Sequence, residues 1–261
     1  MSRLTLTGAG GGVAVFNPGA ISSCALWLES KEGVTDVATK VSVWDDTISG
    51  ATNQFTQTTD ANRPTLTADI FGTGVSGLTP DGSNDTMGRA DTSALDALAT
   101  DQWMFIFRVK TNASITTGTK TYISKYDGNG YYHGESYKGG SQKWWMAITS
   151  GGTYTQWYGS TTVAADTTYT VEMHSTNGNL NGDGWQIYVG EGATTPSAET
   201  MASNDTLLNA SGENTAAINL FSRGGTGTFC FENFGCVGFF NAIPSASDLA
   251  LLRTYISDNY P

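Results

Sequence analysis

From residue 21 onward the chain alternates apolar and polar positions with a period of two. Trp103, Phe105, Phe107 and Val109 fall on one side of a segment whose other side carries Met104, Ile106 and Arg108. That spacing predicts a strand over 103–110, because successive side chains of an extended backbone point to opposite faces. The same reasoning predicts strands over 25–28, 41–44, 122–123, 144–148, 156–158, 169–174, 185–189, 218–221 and 229–240. Clusters rich in Gly, Asn and Asp separate them, at 127–130, 139–140, 151–152, 177–178, 181–184 and 224–225. Such residues supply the positive φ angles of tight hairpins. About ten strands at this spacing predict an all-β fold, a two-sheet antiparallel jelly-roll sandwich.

The two ends break the pattern. Ser245 stands three residues before Asp248, a capping-box spacing, and Leu249, Leu252, Tyr255 and Ile256 then share one face. A short C-terminal helix follows from this. At the other end, Gly8, Gly10, Gly11 and Gly12 interrupt any regular element. Residues 1–20 therefore read as an extended N-terminal arm, and 21–261 as one jelly-roll domain. The glycines form neither a GxGxxG pattern nor a run ending in Lys-Ser/Thr, so a phosphate loop is excluded. The apolar residues Leu4, Leu6, Val13, Val15 and Phe16 are the candidates for anchoring the arm to a larger assembly.

Composition narrows the partners. Charged residues make up 14% of the chain, too few for many solvent-exposed helices, and Gly numbers 32. The net charge is −11 with no basic run. Phosphate backbones are bound through basic faces, so a nucleic-acid partner is not expected, and neither is an anionic membrane surface. No segment approaches the ~18 apolar residues of a membrane span, so membrane insertion is not expected either. The opening residues lack the apolar run of a signal peptide, which predicts a protein made in the cytoplasm. Cys24, Cys230 and Cys236 are odd in number. With Cys230 and Cys236 on one extended strand, their separation would be about 20 Å, too far for a disulfide.

Several fragments are informative in their order. Leu26-Trp27-Leu28-Glu29-Ser30 precedes Gly33-Val34. Trp44-Asp45-Asp46 runs to Ser49-Gly50. Arg63-Pro64-Thr65 and Asp81-Gly82-Ser83-Asn84-Asp85 follow. The chain closes on Phe239-Phe240-Asn241 and, after the helix, Tyr255-Ile256-Ser257-Asp258-Asn259-Tyr260-Pro261. Together these resemble the laminin-G-like, concanavalin-A-like jelly-roll domains found in phage and bacterial surface proteins. The resemblance covers 21–261, and the LTLTGAGG opening is similar to that of tailed-phage virion accessory proteins. Where the family's last strand often carries a Glu, Cys236 stands here, which removes any role for that acid.

Catalytic signals are sparse. Retaining glycosidases need two carboxyl groups about 5–5.5 Å apart. The nearest match to the glucanase E-x-D-x-E pattern is Glu172-Met173-His174-Ser175-Thr176, with His and Thr in place of two acids. His133 and His174 are the two histidines, so no multi-histidine metal site exists. No enzyme activity and no cofactor are therefore expected. The exception considered is calcium, for which Asp81, Asn84 and Asp85 offer oxygen ligands on a turn; the alternative is that these residues shape the turn itself. For sugar recognition or a protein interface, Tyr131, Tyr132, Trp144, Trp145 and Trp157 are the candidates. Trp144 and Trp145 are adjacent, so they must point to opposite faces of a strand, and one of them leaves the main core. That outer aromatic either meets a ligand or interface or lies beneath a loop.

These features predict a non-enzymatic phage virion accessory protein, a capsid decoration or head or tail fibre module on the virion surface. Its partners would be other virion proteins such as capsid or tail, with the protein oligomeric on the particle. The alternative is a carbohydrate-binding module that recognises host-surface glycans. A glycan hydrolase would need acids the sequence does not pair.

Overall fold

The computed structural model describes residues 5–7, 13–92, 102–113, 119–126, 132–137, 142–150, 153–176, 184–203, 216–225 and 228–261. For 5–7, 13–15, 50–52, 132–137, 148–150, 153–155 and 203 it describes the backbone alone.

The strands form two antiparallel sheets. Sheet I runs, in spatial order, Ser197–Ala198, Trp185–Glu191, Thr168–Ser175, Trp103–Lys110, Asn233–Phe240 and Cys24–Glu29. Sheet II runs Val34–Val37, Lys40–Asp46, Gly50–Thr56, Met87–Arg89, Ile218–Leu220, Lys120–Lys125, Tyr132–Tyr137, Lys143–Ser150, Thr153–Thr162 and Ala202–Ser203. Two links lace the sheets together. The hairpin of Thr65–Thr67 and Gly77–Thr79 touches sheet II at Lys40↔Thr65 and sheet I at Leu78↔Phe234. At the other edge, residues 197–203 cross from a pairing in sheet I to one in sheet II.

Alternation explains what lies between the sheets. Trp103, Phe105, Phe107 and Val109 point inward, with Leu26, Leu28, Val171, Met173, Ile187, Val237 and Phe239 beside them on sheet I. Trp44, Phe55, Met87, Tyr122, Trp144, Met146 and Trp157 face them from sheet II. Phe105 meets Phe239 at 4.7 Å and Tyr122 meets Phe234 at 4.8 Å, ring centroid to centroid. Each such side chain contributes about 1.5–3 kcal/mol by leaving water.

The residues between those inward positions form a second cluster on the outer face of sheet I. Trp27, Met104, Ile106, Cys236 and Phe240 cluster with Leu252 and Ile256 of the helix Ala246–Asn259 and with Tyr260 just beyond its end. The helix starts as the sequence predicts, with Ser245 accepting a hydrogen bond from the Asp248 N–H. Two glycines allow the close approach. A Cβ on Gly238 would stand 2.5 Å from the Trp27 ring, and one on Gly235 2.7 Å from Tyr260.

Four readings change. Gly50–Thr56, Thr65–Thr67, Gly77–Thr79, Met87–Arg89 and Tyr132–Tyr137 are strands that no clear alternation marks. The final strand begins at Asn233 rather than 229, so Cys230 lies ahead of it and shares no strand with Cys236; all three cysteines are thiols. The domain's packing begins before residue 21. Phe16 is buried and meets Tyr255 at 5.7 Å, so it belongs to the domain and is not an anchor. Thr5–Thr7 pairs with Val13–Val15 in a small hairpin of its own. Leu4 lies outside the described residues, and Leu6, Val13 and Val15 are described by backbone only.

The motif residues of the resemblance hold turns. Asp46, fully buried, accepts from the N–H groups of Trp27 (3.0 Å), Ile48 (3.1 Å) and Ser49 (3.3 Å), from the Ser49 hydroxyl and from the Asn53 amide. Arg63 donates to the carbonyls of Gln57 and Thr58 and pairs with Asp60.

Candidate functional site

The pleat of Lys143–Ser150 sorts the tryptophans. Trp144 points into the core, 6.0 Å from Tyr122 and 5.3 Å from Tyr169. Trp157, on the neighbouring strand, also points inward and lies 4.7 Å from Trp185. Neither can serve as a ligand platform, because each is part of the packing between the sheets. Trp145 takes the opposite face, away from the core. It sits directly across from Tyr158, and Ala147 across from Gln156. On the other side the backbone register places Glu135 opposite Trp145 and His133 opposite Ala147. Trp145 and Gln156 are buried, while Tyr158 is half-buried. Tyr131 lies outside the described residues, and Tyr132 is placed by its backbone, opposite Lys125. Of the described side chains in these register rows, Tyr158 reaches solvent, while Trp145 and Gln156 on the same face are covered. The sequence located Trp145 through its adjacency to Trp144; Tyr158 and Gln156 follow from the register.

The Asp81–Asp85 turn is built from its own side chains. Asp81 Oδ1 accepts from the N–H groups of Ser83 (2.8 Å) and Asn84 (3.2 Å), and Asp85 Oδ2 accepts from the Asp81 N–H (2.8 Å). Burial pushes the Asp85 carboxyl up to about 6, against that hydrogen bond. Asp85 Oδ1 and Asn84 Oδ1 are buried without partners. Among the described residues no group of three His, Cys, Asp or Glu side chains is arranged to hold a metal. The hydrogen bonds that Asp81 and Asp85 make are those of a turn that holds itself.

One polar cluster escaped the sequence. Glu172, fully buried on the outer face of sheet I, receives Arg253 Nε and Nη2 from the helix, each at 2.7 Å. His174 Nε2 lies 3.1 Å from the same carboxylate and its ring meets Tyr188 at 4.5 Å. Burial alone would raise the Glu172 carboxyl, but the hydrogen bonds from Arg253 and then His174 outweigh it and hold it below the usual carboxylate range. The residues that look like a degraded glucanase motif are therefore a clamp for the helix. Glu29 and Arg108 complete the fastening. Tyr255 donates to Glu29 at 2.8 Å, and Arg108 Nε donates to the Tyr260 carbonyl at 2.7 Å. Arg108 also holds Thr170 Oγ1 and the Gly192 carbonyl, and burial lowers its guanidinium to about 10.

No protein-family model and no curated protein matches the chain. Solved structures do. A Trypanosoma rangeli sialidase in complex with sialic acid aligns over 97% of this chain with a TM-score of 0.56 and 13% identity. The botulinum neurotoxin serotype D/C binding domain aligns over 92% with a TM-score of 0.53 and 10% identity. These alignments agree with a two-sheet jelly-roll sandwich. The chain spans 36% of that sialidase and 53% of that toxin chain, and identities this low show the fold alone. They support the jelly-roll fold that the resemblance implies and bring nothing to its phage-virion part.

Proposed function

We propose that this jelly roll is a non-catalytic glycan-binding module whose site is the outer face of sheet II around Tyr158. The observation that carries the reading is half-buried Tyr158 on the face away from the core, backed in its register row by the buried Trp145. Aromatic rings take the apolar faces of sugars, and a few placed polar groups set orientation. The aligned sialidase holds sialic acid and the aligned toxin region is a binding domain, which fits this use of the fold. Glu172 supports the non-catalytic part, because Arg253 and His174 occupy it and it has no exposure.

A glycan array tests the reading. A hit is expected to lose about tenfold or more in affinity with Tyr158→Ala. A silent array, or a hit unmoved by Tyr158→Ala, contradicts it, and release of reducing sugar contradicts its non-catalytic part.

The finer reading places the module on a phage particle, alongside capsid or tail proteins. It is supported by the separate N-terminal hairpin of Thr5–Thr7 and Val13–Val15, which precedes the packed Phe16. Removing residues 1–15 should leave the sandwich folded and abolish incorporation into virions; unchanged incorporation contradicts this role.

A further inference from the structure

We propose a second binding site on the other outer face of the sandwich, where Arg253 and Tyr188, with the buried His174 packed against the Tyr188 ring, take the carboxylate-bearing ring of a sugar acid. It goes beyond the reading above and does not depend on it.

The guanidinium is held as a ligand-binding arginine is held. Its Nε and Nη2 are spent on Glu172, at 2.7 Å each, which fixes the plane of the fork. Its Nη1 edge makes no hydrogen bond among the described residues, and the side chain is 21% exposed. Glu172 beneath it is 0% exposed. A ligand arriving from solvent therefore meets the cationic edge and not the carboxylate behind it. Planar guanidinium edges match carboxylates in geometry as well as charge.

The surroundings suit a sugar ring more than a bare anion. Tyr188 stands directly opposite Glu172 in the strand register, half-buried, and its ring rests on the His174 imidazole at 4.5 Å with a 36° tilt. Tyr188 also lies near enough to Arg253 for the two side chains to interact. An aromatic surface thus borders the cation. No competing acid stands one helical turn away, where Leu249, Ala250, Ile256 and Ser257 are found.

The test is a titration of the full chain with sodium glucuronate, followed by the His174 imidazole NMR signal. The chain has two histidines, so a His133→Gln variant assigns the signal. Glucuronate should shift it saturably, glucose should not, and acetate should need at least about tenfold more. Arg253→Lys keeps the charge but loses the fork, and should weaken glucuronate about tenfold. Tyr188→Ala leaves the Arg253–Glu172 pair in place and should weaken it similarly. Absence of a saturable shift overturns the proposal, as does unchanged affinity in both variants. An equal response to glucose overturns the carboxylate part, and acetate binding as tightly as glucuronate overturns the sugar part. Tyr158→Ala should leave this titration unchanged, so failure of one site is separable from failure of the other.

Discussion

The two apolar clusters of this protein are built on opposite rules. Between the sheets, the packing is nearly all hydrocarbon and aromatic ring. Between sheet I and the helix, the apolar residues Trp27, Met104, Ile106, Leu252 and Ile256 share the space with buried Glu29, Arg108 and Glu172. The first layer rests on shape complementarity, and it keeps the indole N–H groups of Trp144 and Trp185 buried without a hydrogen-bond partner. The second fastens one helix in one place through directional contacts. Buried charges are costly to desolvate, so their partners must be present and aligned. The inner layer therefore carries stability, and the outer layer carries the registration of the helix.

The largest expected effect tests the inner layer. Phe105→Ala should cost about 3–5 kcal/mol in urea unfolding and lower the stability of the whole sandwich. A loss confined to the helix would break the distinction. Arg253→Met should cost a comparable amount, about 3–5 kcal/mol, because it strands a fully buried carboxylate. Glu172→Gln should cost less, since the arginine left behind is partly exposed and can reach water. Equal costs would show that Glu172 is less enclosed than its neighbours imply.

Tyr255→Phe removes the donor to Glu29 and should cost about 1–3 kcal/mol. The acid responses differ in sign. Glu172 has its folded value below its unfolded one, so its contribution is present above about pH 4.3 and is lost as pH falls through the folded value. Burial raises Glu29, so its contribution is fully present below the unfolded value and is lost as pH rises through the folded one. Asp85, pushed up to about 6, behaves like Glu29. Asp85→Asn should therefore flatten the urea midpoint between about pH 4 and its folded value, the smallest of these effects. An unchanged profile would place the raised carboxyl elsewhere.

The inner layer could be read from the sequence because it has a period. The strand Trp103–Lys110 is apolar on both faces, and each face found a separate cluster. The helix was legible through Ser245 and its cap. The short strand Met87–Arg89 and the polar strand Gly50–Thr56 were not, because their places in sheet II come from neighbours rather than from local alternation. The Glu172–Arg253 clamp was hidden for another reason. Its partners are 81 residues apart, and an acid on a strand reads as a solvated position until something covers it. Of the candidate site, the opposite facing of Trp144 and Trp145 was legible, because a pleat leaves no alternative. That Trp157 turns inward while Tyr158 turns outward depends on strand register, which single-chain alternation does not fix.

Hydrogen exchange on the chain with a bound glycan addresses the central claim most directly. Slowed exchange over Lys143–Ser150 and Thr153–Thr162, with the sheet I strands unchanged, is the expected result for a neutral sugar. Slowing confined to other strands, or none with any glycan that binds, would contradict a site on the outer face of sheet II.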